Sequence, residues 1–185
     1  MEEAFDEAIW QDLLAGNTCR FGLIWDRHKD RVFQHFRKTG GLNEDAEDMT
    51  ATVFLELWRR RRAVRFVDGS LLPWLIVTAQ NVARNSNRAR IRYQTFLAKL
   101  PPPVSMADPV DTITERFDET ILAIRRVMSA SSSIDRKLLA LTALEGFTVR
   151  EAASTLNISE SAAKMRLSRL RMRLQSTVTP IATER

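Results

Sequence analysis

The sequence predicts an all-α protein of two small helical domains joined by a proline-rich linker, the second carrying a helix-turn-helix. Three observations predict it. Apolar residues recur at helical spacing through both halves of the chain. Six glycines and six prolines among 185 residues leave room for long helices but few tight turns. Four of those prolines, Pro101, Pro102, Pro103 and Pro109, stand close together, which forbids a helix and favours extended polyproline geometry. The boundaries follow as a domain over 1–96, a linker over 97–111 and a domain over 112–178, each domain small but of workable size.

The N-terminal elements are read in order. A short helix is expected over 4–15. A second runs from Thr18 to Lys38, with Phe21, Ile24, Trp25, Val32, Phe33 and Phe36 as its apolar stripe, and Gly40-Gly41 breaks it. Asn43 can cap the third helix, where Glu44, Asp45, Glu47 and Asp48 crowd the positive N-terminal end and Met49, Val53, Phe54 and Leu57 form the buried stripe. Asp68-Gly69 marks a loop. Ser70 is a candidate cap for a helix over 71–93, with Pro73 in its tolerant first turn.

In the second domain a helix is expected over about 113–129 and another from Ile134 to Glu145, stopped by Gly146. Thr148 and Glu151 form a capping-box pattern, the signature of a helix start. Two turns later Asn157 can take the left-handed conformation that ends a helix. Ser159 can cap a last helix from Glu160 to about Ser176, and the residues from Thr177 onward are expected to fray.

Charge is segregated along this frame. The formal net charge is +5, but residues 1–58 carry twelve acidic and six basic side chains. Residues 59–92 carry nine arginines against Asp68 alone, and residues 160–175 carry Lys164, Arg166, Arg169, Arg171 and Arg173 against Glu160. Two basic stripes on two domains point to a polyanionic partner. The single Cys19 excludes an intramolecular disulfide, fits a reducing cytoplasm and is expected as a small buried residue. The acidic start MEEAFDEAIW lacks the apolar core of a signal peptide, and no apolar run reaches membrane-spanning length, so no membrane insertion is expected.

The helix-turn-helix is the strongest chemical signal. Ala152, Ala153, Leu156, Ile158, Ala163, Leu167 and Leu170 make its packed side. The opposite face of the second helix presents Ser161, Lys164, Met165, Ser168 and Arg169, with Arg166 and Arg171 beside them. One packed face and one donor-rich face is what a helix lying in the major groove requires. A second signal is the helix 70–93, whose later half interleaves Asn81, Asn85 and Asn87 with Arg84, Arg88, Arg90 and Arg92, groups suited to bases and phosphates. Tyr93 could stack on an unpaired base, whereas Trp74 is expected in the core. The acidic run 44–48 has no histidine near it, and the helix dipole accounts for it without a metal. His28 and His35 are seven residues apart with no third ligand, so they read as surface or core side chains. There is no phosphate loop and no nucleophile motif. No enzyme activity, cofactor or metal is expected.

Three segments, in this order, resemble sigma factors of the extracytoplasmic-function group of the sigma-70 family: DAEDMTATVFLELWRRR (45–61), PWLIVTAQNVARNSNRAR (73–90) and LEGFTVREAASTLNISESAAKMRLSRLRMRL (144–174). The resemblance implies a cytoplasmic transcription initiation factor with core RNA polymerase (clamp and flap regions), promoter DNA and an anti-sigma factor as partners. It implies that Asp45, Asp48, Met49, Thr52 and Glu56 dock on the polymerase. It assigns Asn81, Arg84, Asn85 and Arg88 to the −10 element, together with Arg65 in the loop 64–70, which matches a segment that captures a flipped base. It assigns Ser161, Lys164, Met165, Arg166, Ser168 and Arg169 to the −35 element. The chain departs from the family pattern at Ala51-Thr52, where Gln-Glu is usual, at Asn157 for a turn glycine, at Ala163 for valine, and at Ser131–Ile134 for Leu-Pro-x-x. An ordinary helix-turn-helix regulator would explain residues 134–176 equally well but leaves the acidic helix and the Asn/Arg helix without a role. A metal-dependent nucleic-acid enzyme built on residues 44–48 is the third alternative.

Overall fold

The computed structural model describes residues 5–39, 43–97 and 119–183. Within them α1 (Asp6–Leu14) leads through a single 3₁₀ turn (Thr18–Arg20) to α2 (Phe21–Lys38), α3 (Asn43–Arg59) and α4 (Leu72–Leu97). Then follow α5 (Glu119–Ala130), α6 (Ser133–Leu139), a π-helical turn (Ala140–Leu144), α7 (Val149–Leu156) and α8 (Glu160–Thr183). The described residues are helical, apart from turns and one isolated bridge between Val67 and Ser70. The proline-rich stretch 98–111, the Gly40-Gly41 break, the side chain of Asn43 and the expected helical residues 113–118 lie outside the described residues.

The first core forms where α2, α3 and α4 pack on one another and α1 crosses beside them. Ile24, Val32 and Phe36 of α2 meet Val53, Phe54 and Leu57 of α3 and Leu71, Leu75 and Ala79 at α4, all buried. Aromatic rings fill the gaps: Phe21 stands edge-on to Trp58 and Phe54, with centroids 5.4 and 6.3 Å away. Trp10 is 1% exposed and donates its indole N–H to Arg61 O at 2.9 Å, so its one polar atom is satisfied inside the core. Trp74 packs against this core, as its apolar context predicts.

The buried stripe of α2 holds two residues that hydrophobic spacing does not reveal, His28 and His35. Each is matched by a distant carboxylate. His28 Nε2 lies 2.7 Å from Asp6 Oδ2, and His35 Nδ1 lies 3.0 Å from Glu145 Oε1. Asp6 also accepts from Arg27 at 2.8 Å and from the Leu71 amide at 2.8 Å, so a side chain of α1 caps the start of α4. Ser70 Oγ accepts from the Leu72 amide at 3.2 Å, the capping role its position predicts. Before it, Asp68 (φ 49°) and Gly69 (φ 74°) form a left-handed two-residue turn. A Cβ on Gly69 would lie 2.9 Å from the Phe5 ring, so both conformation and space require glycine.

The second core gathers Leu138, Leu141, Ala152, Ala153 and Ala163, and Ile76 of α4 is fully buried within it. Leu72 and Val77 pack against the same cluster. α4 therefore serves both cores: Leu75 and Ala79 face one, Ile76 the other.

Three expectations about elements need correction. Cys19 is exposed, not buried, because it lies in the 3₁₀ corner where the chain turns between α1 and α2. The helix expected over 134–145 loses α geometry after Leu139 and widens into the π turn, in which the Glu145 amide reaches back five residues to Ala140 O at 3.1 Å. The last helix continues past Ser176 to Thr183, with the Ser176 and Thr177 hydroxyls bonded to Arg173 O.

Candidate promoter-DNA and polymerase interface

Two exposed faces on the first domain meet in one groove. On α3, Asp45, Asp48, Met49, Thr52 and Glu56 share a side because they recur at three- and four-residue steps while Val53 and Leu57 anchor the opposite side. On α4, Asn81, Arg84, Asn85 and Arg88 recur the same way and all four are exposed. The five α3 residues, with Arg60, line a groove of about 510 Å³ whose other wall is Thr78, Asn81, Val82, Asn85 and Ser86. Arg88 lies just beyond, beside Asn85, Ile91 and Arg92. The groove has acids at one lip and amides and hydroxyls at the other, a surface for hydrogen bonds.

The arginine run is less uniform than its sequence suggests. Arg59 and Arg60 both bind Glu56, at 3.1 and 3.2 Å. The Arg61 guanidinium lies over the Trp58 ring, 4.8 Å from its centroid. Arg65 is exposed before the left-handed turn and does not line the groove. Burial holds the Lys137 pKa below its ordinary value, and the charges of Arg84 and Arg136 add to the effect.

The helix-turn-helix assembles as its signals predict. Thr148 and Glu151 make the reciprocal capping box, Asn157 is left-handed (φ 54°, ψ 47°), and Ser159 Oγ accepts from the Ala162 amide at 3.2 Å. Ala163 and Leu170 are buried, so the other side of α8 is turned outward. Ser161, Lys164, Met165, Ser168 and Arg169 are exposed there, Lys164 pairing with Glu160 at 2.6 Å. Arg166 differs from that set. It is partly buried and binds Asp135 of α6 at 3.0 Å. Burial raises the Asp135 pKa, but hydrogen bonds from Ser132 and Arg166 outweigh it and leave the pKa lowered.

Among the described residues no group of three metal-capable side chains occurs, and no helix is long and apolar enough to cross a membrane. Residues that sequence reasoning did not single out are Arg60, Thr78, Val82 and Ser86 of the groove. The last three stand at the same helical steps as Asn81 and Asn85, a signal that could have found them.

Comparison with known proteins identifies a family. Residues 24–93 match the family model Sigma-70 region 2, and residues 122–174 match Sigma-70, region 4. The RNA polymerase sigma factor NccH of Alcaligenes xylosoxydans xylosoxydans is 27% identical, with 94% of each chain covered. Among solved structures, CnrH in complex with the cytosolic domain of CnrY shares the fold with a TM-score of 0.59 at 21% identity, covering 95% of this chain and 97% of that one. The sigma factor RpoE in complex with the anti-sigma factor NepR from Bartonella quintana shares it with a TM-score of 0.52 at 20% identity, covering 86% and 96%. Two family models matched in order along the chain, and relatives named as extracytoplasmic-function sigma factors, such as BldN of Streptomyces coelicolor (26% identical, covering 81% of this chain and 57% of that one), lead to one assignment: the chain belongs to that group of the sigma-70 family of RNA polymerase sigma factors.

Proposed function

We propose that this protein binds core RNA polymerase through the α3 face and directs it to promoters by reading a −10 element with α4 and a −35 element with α8. The observation that carries the reading is the groove in which α3 residues Asp45, Asp48, Met49, Thr52 and Glu56 stand opposite Asn81 and Asn85. A polymerase docked on one wall would hold separated DNA strands against the other. Asn81, Arg84, Asn85 and Arg88 would contact the unpaired −10 strand, with Arg65 beside the loop that takes up a flipped base. Lys164, Met165, Ser161, Ser168 and Arg169 would enter the −35 major groove. Arg166 would support α8 through Asp135 and reach DNA only by giving up that pair.

The sequence, as part of a family of transcription initiation factors, is read as a non-enzymatic cytoplasmic protein. An anti-sigma factor is the expected negative partner, as the RpoE–NepR complex has for its own sigma factor. The test is a gel shift on one promoter duplex with and without core polymerase at about 0.15 M salt, where phosphate-driven binding is screened. Weak and unselective binding alone, turned tight and selective by core enzyme, is the expected result. Tight specific binding that core polymerase does not change would assign the protein as an ordinary helix-turn-helix regulator.

A further inference from the structure

α1 has two unlike sides. Asp6, Ile9, Trp10 and Leu13 are buried, while Glu7, Ala8 and Gln11 are exposed. The buried side is pinned to the turn before α4: Asp6 accepts from the Leu71 amide at 2.8 Å and from the Ser70 hydroxyl at 3.4 Å. Phe5, its neighbour in the chain, is thereby laid on Gly69, where a Cβ would meet the ring at Cδ1 (2.9 Å) and Cγ (3.3 Å). Only one edge of the ring is used in this way. Phe5 is still 71% exposed, the most exposed large apolar side chain among the described residues. Burial does not account for its place, because a ring left open to water gains little of the stabilisation that burial supplies.

Beside the ring lies a cleft of about 560 Å³, lined by Phe5, Glu7, Ala8, Gln11, Asp68 and Gly69. Ligand clefts commonly run from about 300 to 1,000 Å³. The lining offers a π face, a methyl group, a carboxamide and two carboxylates, and no cation. Two carboxylates repel phosphate, so the cleft does not suit a nucleic-acid backbone. A carboxylate accepts and cannot donate, so it suits a group that donates. Adenine, cytosine and guanine carry an exocyclic amino group, whereas thymine presents the acceptor O4 and a methyl group. An aromatic face stacks on any unpaired base.

The cleft lies within reach of a strand held on α4. Asn81 stands nine residues beyond Leu72, which is about 14 Å of helix. A single strand at the stacked spacing of about 3.4 Å covers that length in about four nucleotides. α1 precedes the segment 24–93 matched by Sigma-70 region 2, so Phe5, Glu7 and Gln11 lie outside what that family model describes.

We propose that Phe5, Glu7 and Asp68 form a base-selective pocket: an unpaired base of the −10 strand stacks on Phe5, and the two carboxylates accept from its exocyclic amino group and reject thymine. The proposal rests on the promoter-reading function above and adds α1 to the surface that reads the strand. Phe5 supplies affinity for a base of any kind, and the carboxylates supply the choice among bases. The two contributions separate experimentally.

The test uses the full chain with core polymerase on pre-melted bubble templates made from the promoter of the gel shift. Each unpaired position carries in turn adenine, cytosine, guanine, thymine or an abasic site, and fluorescence anisotropy reads the binding. At one position the parent should favour the amino-bearing bases over thymine and over an abasic site by roughly tenfold. Phe5→Ala should abolish the difference between base and abasic site there, and Phe5→Tyr should keep it. Asp68→Asn combined with Glu7→Gln supplies amides that can donate to thymine O4. That variant should lose the exclusion of thymine and keep the preference for a base over an abasic site. Asparagine tolerates the left-handed conformation at position 68, so the turn is preserved. If Phe5→Ala weakens every template alike, abasic ones included, its role is structural or toward a protein, and the pocket is overturned. Thymine bound as well as the other bases at the Phe5-dependent position overturns it too. Base preferences that depend on Asn81 and Asn85, with none that depends on Phe5, sink the pocket and leave promoter reading standing. No base preference at any position removes the promoter reading and the pocket with it.

Discussion

Asp6 shows how much one residue holds together. Its side chain is 3% exposed and is bonded by Arg27, His28 and the Leu71 amide. Burial raises its pKa, but the bonds from His28, Leu71 and Arg27 and the charge of His28 outweigh burial and place it at about 2, against an ordinary 3.8. A pKa lowered by folding contributes stability that is complete above the unfolded value and lost as pH falls through the folded one. For Asp6 that window runs from about pH 4 down to about pH 2, and the difference is worth about 2 kcal/mol. The Asp6→Asn variant should therefore trail the parent above pH 5 and approach it as pH falls toward 2. Urea unfolding followed by tryptophan fluorescence measures this directly, because Trp10, Trp25, Trp58 and Trp74 all lie in the first domain. A stability difference independent of pH would refute the ionised hub. The hub was not legible in the sequence, which left His28 open between core and surface. The partners of Asp6 stand 21, 22 and 65 residues away, and no local pattern joins them.

At the scale of the element, the sequence was most informative where a hydrogen bond closes within a turn. Thr148 with Glu151, Asn157 and Ser159 each act on a backbone group a few residues off, so residue type and spacing determine the outcome. The π turn was not legible because Ala140–Leu144 has ordinary helix formers, and the contact of the following Glu145 with His35 of α2 spans 110 residues of sequence. The face of α8 was legible from spacing, but the pairing of Arg166 with Asp135 was not. This separates two arginines three residues apart. Arg169→Ala should leave thermal stability unchanged and cost about 1–3 kcal/mol in binding at a −35 element. Arg166→Ala should lower stability by about 0.5–1 kcal/mol, the worth of a partly exposed pair. Transcription from a −35-dependent promoter, read beside thermal unfolding, checks both. A normal level of transcription with Arg169→Ala would show that the reading face of α8 is elsewhere.

At the scale of the molecule, the prolines and the change of charge lead to an expectation of two units, and nothing in the sequence shows that α4 contributes to two cores. Consecutive residues of that helix point into different cores: Leu75 lies with Ile24, Phe36 and Leu57, and Ile76 lies with Leu138, Leu141 and Ala152. Both are fully buried, and an apolar run such as LLPWLIV shows burial without naming the partner. The pair offers a matched experiment. Leu75→Ala and Ile76→Ala each remove a buried aliphatic side chain, at a cost of about 2–5 kcal/mol set by how far the surroundings collapse. The loss should fall in different places. Leu75→Ala should lower the midpoint of the tryptophan transition, which reports the first core. Ile76→Ala should leave that midpoint nearer the parent's and speed amide hydrogen exchange in α6 and α7, whose carbonyls and amides are protected by the cluster Ile76 completes. Exchange in α6 and α7 unchanged by Ile76→Ala would mean that the second core stands without α4, and that the domain contact adds nothing to its stability.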